Sequence, residues 1–183
     1  MLFLTTLYQI NISDVEVRYK VNETLVQVGK TTAIGKTKAI SGKIFLNSDN
    51  AFDTTSIIKV DLSTLKSDQE RRDRYIKTKT LEVEKYPFAE FYPQRIEGLK
   101  EIKDGTYNVK IYGKLKIKDI IKNVVWSGKI DIKDNKANVF LKTEFPFDYF
   151  NLQKPKVPVV IEIDDPIVLE VEGIFDIKQN KID

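Results

Sequence analysis

The chain has 183 residues, of which 42% are hydrophobic and 31% charged, and its 30 Lys and Arg residues exceed its 27 Asp and Glu residues by only +3. This length is enough for one substantial core, and no composition break marks a second domain, so we predict a single domain over residues 1–183. Because the sequence has no His and no Cys, it excludes His-based triads, thiol nucleophiles, disulfides and His or Cys metal sites.

The first ten residues, MLFLTTLYQI, are apolar. They carry neither the basic region nor the small-residue cleavage site of a secretory leader, and they are too short to span a bilayer. We therefore expect a first strand, or the remainder of a shortened leader, and a protein that is not integral to a membrane. The sequence leaves open whether the protein is exported or cytoplasmic.

Apolar and polar residues alternate with a period of two along much of the chain, which is typical of half-buried strands. The pattern is clearest at 106–118, where Ile111 and Leu115 fall on one face and Lys114 and Lys116 on the other. In chain order, the alternation predicts strands at 14–21, 24–28, 37–46, 56–62, 106–118, 124–132, 137–145 and 167–177.

Short polar turns at 103–106 and 133–136 favour antiparallel hairpins between consecutive strands of the second half. About eight such strands form either two stacked sheets or one closed barrel, and periodicity alone does not choose between them. Gly113, Gly128 and Gly173 interrupt apolar strand faces. We favour bends at barrel corners as their role over space for a ligand next to the backbone.

One stretch, SDQERRDRYIKTKTLEVEKYP at 67–87, breaks the strand pattern. Ser67 or Asp68 can cap the N-terminus of a helix, and the residues that follow are compatible with a helix. Pro87 then prevents the helix from continuing. We predict one helix from about 68 to 79.

Several motifs follow one another in a fixed order between residues 56 and 126. They are Val60-Asp61-Leu62 at a strand end, Arg72-Asp73 with Ile76 on the helix, Glu84-Lys85-Tyr86-Pro87 with Phe91, and Gly113-Lys114-Leu115-Lys116-Ile117 with Lys122. In this order they resemble the YceI-like family of lipocalin-like, lipid-binding proteins. Tyr75 stands where that family commonly has His.

The resemblance implies an all-β fold, namely a single antiparallel lipocalin-like β-barrel of about eight strands with one capping α-helix. It further implies that the apolar lumen binds a long isoprenoid-type lipid and that the protein forms a homodimer. We predict no catalytic residue, no metal site and no cofactor.

Candidate ligand-binding residues come from the inward strand faces and from the helix. For the strand residues the alternative is a filled core, which is common in small eight-stranded barrels. The helix arginines can pair with a phosphate or carboxylate head group, or form salt bridges within the helix. The predicted set is Val109, Ile111, Gly113, Leu115, Ile117, Val124, Trp126, Ile130, Val139, Leu141, Leu169, Val171, Phe175, Arg71 and Arg72.

Lipid binding needs no catalysis, because each buried CH₂ contributes about 0.8 kcal/mol to affinity. The carboxylate pairs Asp164–Asp165 and Glu170–Glu172 are expected to lie on solvated surfaces instead of acting as acid and base. Nucleic-acid binding is disfavoured, since a phosphate-binding surface should be basic along one face. A dimeric interaction or stress-related structural module with a filled barrel is the alternative function.

Overall fold

A computed structural model of the chain describes residues 6–181. The first five residues of the predicted N-terminal strand lie outside this range. The described residues form ten strands, which are β1 Thr6–Leu25, β2 Gly29–Thr37, β3 Ile40–Asn47, β4 Ile57–Asp61, β5 Phe88–Glu97, β6 Gly105–Ile117, β7 Ile120–Lys133, β8 Lys136–Phe145, β9 Val160–Ile163 and β10 Ile167–Lys181. Helix α1 spans Glu70–Tyr75, a π-helical turn continues it over Ile76–Thr80, and 3-10 turns lie at Leu62–Thr64 and Phe147–Phe150.

Eight strands close into an antiparallel ring, in the order β1, β10, β8, β7, β6, β5, β4, β3 and back to β1. Strands β2 and β9 lie outside the ring and pair with the C-terminal half of β1. The prediction of one closed antiparallel barrel with one capping helix is confirmed, and closure leaves the ring strands without the open edges that two separate sheets would have.

The meander of β6, β7 and β8 follows its sequence pattern most closely. Leu115 and Ile117 are buried and Lys114 is exposed, as the alternation predicts. The turn between β7 and β8 places Asp134 and Asn135 at φ values of 51° and 59°. Positive φ at both positions is the requirement of a tight type I′ hairpin, and Asp and Asn tolerate it well.

Strand β1 exchanges neighbours along its length. Its first half pairs with β3 through Ile10 and Ile44, and its second half pairs with β2 through Tyr19 and Gly35. The predicted strand at 24–28 is wrong, because β1 ends at Leu25 and the chain turns before β2 begins. Strands β2, β5 and β9 were not predicted as such, since none shows a long strict alternation.

Helix α1 is shorter than the predicted helix of 68–79, although the π-helical turn extends the helical segment to Thr80. Neither predicted cap acts as one. The residue before the helix is Gln69, which makes no side-chain cap. Instead the Asp73 carboxylate accepts hydrogen bonds from the Ser67 backbone N–H, at 3.0 and 3.1 Å, and from the Ser67 hydroxyl at 2.7 Å.

Three segments meet at the end of the barrel that carries α1, and we call residues 22–32, 65–81 and 151–164 together the lid end. The Thr80 hydroxyl donates to the Gln153 carbonyl at 2.9 Å, which joins the helical segment to the third segment. The Asp164 N–H donates to the Asn22 carbonyl at 2.9 Å, which joins the third segment to β1. An ion pair between Arg72 and Glu23 joins the helix to β1.

Candidate functional site

The barrel encloses a cavity of about 300 Å³. All eight ring strands contribute apolar side chains to its wall, and the lid end contributes Leu65, Ile76 and Leu81. Phe91 packs its ring edge-on against Trp126, with centroids 5.9 Å apart. This volume lies at the lower end of the range for small-molecule sites, roughly 300–1,000 Å³. The arrangement is therefore suited to an apolar ligand inside the barrel.

Eleven of the fifteen predicted ligand-binding residues line this cavity. They are Ile111, Leu115, Ile117, Trp126, Ile130, Val139, Leu141, Leu169, Val171, Phe175 and Arg72. Val109 and Val124 are buried in the surrounding core, and Arg71 is exposed on α1.

Gly113, the remaining predicted residue, is buried where β5 and β6 approach closely. A Cβ atom built at this position would lie 2.4 Å from the Tyr92 carbonyl oxygen and 2.7 Å from the Phe91 ring. A Cβ at Gly128 would lie 1.9 Å from the Phe140 carbonyl oxygen. Both glycines thus permit close packing of neighbouring strands, which is a structural role different from the bends that we favoured for them.

Arg72 lies inside the lid end and is already paired. Arg72 is 4% exposed and Glu23 is 3% exposed. The Arg72 guanidinium donates to the Glu23 carboxylate. It also donates to Asp68 Oδ1 at 2.7 Å and to the Ser67 hydroxyl at 3.3 Å. Buried charges are stable only when paired and hydrogen-bonded. The Arg72–Glu23 pair therefore connects the helix to the barrel wall.

Sequence reasoning missed Glu23. The sequence pattern does indicate that Glu23 points inward. The inward face of β1 carries Val15, Val17, Tyr19 and Val21, and Glu23 is the next position on that face. A carboxylate at an inward strand position indicates either a buried partner or a polar site. Here the partner is Arg72, which comes from a segment 49 residues away.

Three donors in the cavity wall remain without a hydrogen-bond partner among residues 6–181. They are the Tyr19 hydroxyl, Arg72 Nε and Trp126 Nε1. Burial raises the pKa of Tyr19 to about 12, and the nearby Asp73 carboxylate acts in the same direction. Tyr19 therefore keeps its proton at neutral pH. An acceptor atom on a ligand would satisfy any of these donors.

The sequence agrees with this geometry. Residues 8–175 match the sequence model of the YceI-like domain family. The chain belongs to the YceI-like family. The resemblance found from the motifs between residues 56 and 126 is thereby confirmed.

Solved structures share the YceI-like fold at low identity. Burkholderia cenocepacia BcnA is 15% identical, with a TM-score of 0.65 over 87% of this chain and 95% of BcnA. A polyisoprenoid-binding domain from Saccharophagus degradans is 8% identical, with a TM-score of 0.67 over 93% of this chain and 98% of that domain. The Campylobacter jejuni YceI protein is 20% identical, with a TM-score of 0.57 over 81% and 85% of the two chains. Among curated proteins, no sequence matches this chain.

The carboxylate pair Glu170–Glu172 of this YceI-like barrel is an ion-pair cluster. Arg18 contacts Glu170 at 2.5 Å and Glu172 at 2.6 Å, and Lys20 contacts Glu170 at 3.0 Å. Burial opposes ionisation of Glu170, but hydrogen bonds from Lys20 and Arg18 outweigh it and hold the pKa of Glu170 below its ordinary value. Glu170 is buried, contrary to the expectation of a solvated pair, and the cluster joins β1 to β10.

Two further features bear on the chemistry of the YceI-like barrel. Within residues 6–181, no group of three or more carboxylates is placed to hold a metal ion. Over the same range, no helix combines the length and the apolar character needed to cross a bilayer.

Proposed function

We propose that this protein binds a long-chain isoprenoid or similar apolar lipid in the barrel cavity, and that it carries, stores or senses this lipid without catalysing a reaction. The observation that supports the proposal is the apolar cavity, to which every strand of the closed ring contributes. Burial of apolar ligand surface is a sufficient driving force, at about 0.8 kcal/mol for each CH₂. The polyisoprenoid-binding domain of the similar Saccharophagus degradans structure points to the same ligand class.

The lid end favours a head group without charge. Arg72 already has Glu23 and Asp68 as partners, and the Ser67 hydroxyl that it contacts also bonds the Asp73 carboxylate, so its positive charge is compensated. An anionic head group at this position would have to displace one of these carboxylates or approach it. An uncharged hydroxyl or carbonyl oxygen can instead accept a hydrogen bond from Tyr19 or from Arg72 Nε.

Trp126 provides the measurement, because it is the single tryptophan of the sequence and lines the cavity. Its fluorescence should change on titration with a polyprenol, and the matching polyprenyl phosphate should bind no more tightly. Comparable or stronger binding of the alcohol supports an uncharged head group. A strong preference for the phosphate would contradict that part of the proposal.

Val139→Phe tests whether the lipid occupies the cavity. Val139 lines the wall on β8, and its neighbour Asn138 is exposed on the same strand, so Asn138→Phe is the matched control. The larger ring should displace about two methylene groups of the ligand and lower affinity roughly tenfold. If Val139→Phe, correctly folded by circular dichroism, bound the polyprenol as the wild type does, the lipid would not lie in this cavity.

A further inference from the structure

The lid end carries the most exposed aliphatic side chains of the described residues. Val28 is 71% exposed, Ile161 65% and Val26 62%, and Val159 beside them is 47% exposed. We call these four residues the aliphatic tip. A contiguous patch of exposed aliphatic residues is typical of an interaction surface.

Backbone contacts join the two segments that carry these four residues. The Val26 N–H donates to the Val159 carbonyl at 3.0 Å, and Leu25 pairs with Val160. Val26 and Val28 belong to the turn between β1 and β2, while Val159 and Ile161 belong to the segment that forms β9. The tip therefore spans two neighbouring connections at one rim of the barrel.

The lid end, which carries the aliphatic tip, has an excess of basic residues. The three segments of the lid end contain nine Lys and Arg residues and six Asp and Glu residues, an excess of three that equals the net charge of +3 for the whole chain. The remainder of the chain therefore carries no net charge in sum. Two of the six carboxylates, on Glu23 and Asp68, are paired with Arg72. The exposed basic residues are Lys30, Lys66, Arg71, Arg74, Lys79, Lys154 and Lys156.

We propose that the lid end docks on an anionic lipid bilayer, with the aliphatic tip inserted among the head groups and the basic residues on the lipid phosphates. Exposed aliphatic residues framed by Lys and Arg are the combination that binds protein surfaces to anionic membranes. The purpose of such docking rests on the proposed function, because a docked barrel would exchange its apolar ligand with the bilayer.

A second copy of the chain fits this surface less well. In a two-fold interface the same patch meets itself, so the positive excess of one protomer would face that of the other. An anionic bilayer offers the opposite charge together with an apolar interior. The charge of the patch therefore favours the bilayer over a homodimer contact at this face.

Vesicle sedimentation tests the proposal, with phosphatidylcholine vesicles that contain or lack phosphatidylglycerol. We expect the wild type to sediment with the anionic vesicles only, and the binding to fall as salt is raised. The triple variant Val26→Ser/Val28→Ser/Ile161→Ser should weaken this binding at least tenfold. The control Ile121→Ser/Val125→Ser removes exposed aliphatic residues from the outer face of β7 and should leave it unchanged.

A second pair of variants separates charge from apolar contact. Lys30→Gln/Lys156→Gln should weaken binding to the anionic vesicles, whereas Lys114→Gln/Lys129→Gln, which removes exposed lysines of β6 and β7, should have little effect. Equal binding to neutral vesicles, or no loss in either lid-end variant, would overturn the proposal. Loss of a dimer in the triple variant, seen by native mass spectrometry, would assign the tip to a second copy instead and would equally overturn it.

Docking and cavity binding can fail separately. The triple variant should still bind a polyprenol in solution, measured by Trp126 fluorescence. Conversely, Val139→Phe should still sediment with anionic vesicles. A protein that docks but binds no polyprenol would refute the proposed function alone, and one that binds polyprenol but does not dock would refute the inference alone.

Discussion

The meander of β6, β7 and β8 and the lid end are held together in different ways. The meander pairs strands that are adjacent in sequence through short turns, and its side chains alternate between core and solvent. The lid end joins three distant segments through a buried ion pair and side-chain hydrogen bonds. The local sequence pattern thus determines the barrel wall, while specific polar contacts determine how its end is closed.

The largest expected effect concerns the buried ion pair of the lid end. Glu23→Ala leaves the Arg72 charge buried without its partner on β1, which should lower the free energy of unfolding by about 3–5 kcal/mol. Urea denaturation of the purified protein measures this loss. The matched control is Glu162→Ala on neighbouring β9, since Glu162 is exposed and should change stability by less than about 0.5 kcal/mol.

The double variant Glu23→Leu/Arg72→Leu sharpens the same test. Replacing both charges by apolar groups should recover much of the stability that Glu23→Ala loses, because no charge remains buried. If Glu23→Ala behaved like Glu162→Ala, the lid end would not depend on this pair.

The meander should respond to side-chain volume instead of charge. Gly128→Ala places a Cβ against the Phe140 carbonyl, where the strands approach too closely to accept it. We expect a loss of about 1–3 kcal/mol in the free energy of unfolding, measured in urea. Lys129→Ala, on the exposed face of the same strand, is the control, and an equal effect in both variants would contradict the close-packing account.

The sequence predicted the meander better than it predicted the lid end. In β6, buried Leu115 and exposed Lys114 were predictable because every second residue faces the same side of a strand. The pairing of Glu23 with Arg72 was not, because it depends on where two segments far apart in sequence meet. Gly113 was assigned to the ligand set from its inward position, but the space at that position is taken by Phe91, which comes from an unpredicted strand.

The ion-pair cluster between β1 and β10 predicts a dependence of stability on pH. The pKa of Glu170 is lowered in the folded protein, so the carboxylate contributes stability at neutral pH, and this contribution is lost as pH falls through the folded pKa. Denaturation between pH 7 and pH 3 should therefore show a shallower acid loss for Glu170→Gln than for the wild type. Parallel curves for the two proteins would contradict this role.

The smallest effect is expected at Tyr19. Its buried hydroxyl has no hydrogen-bond partner among the described residues, so Tyr19→Phe removes an unsatisfied donor and should raise the free energy of unfolding, by up to about 1 kcal/mol. The same variant should weaken binding of a polyprenol if its oxygen accepts from Tyr19. A loss of stability in Tyr19→Phe, without a change in binding, would show that the hydroxyl has a structural partner instead.

Native mass spectrometry of the purified protein, followed by lipid extraction, tests the central claim most directly. We expect an additional apolar mass on the wild-type chain that extraction identifies as isoprenoid-type, with much less of it on Val139→Phe and an unchanged amount on Asn138→Phe. The same spectra report whether the predicted homodimer forms. A wild-type chain that carries no additional mass, even after incubation with a polyprenol, would contradict the claim that the barrel binds such a lipid.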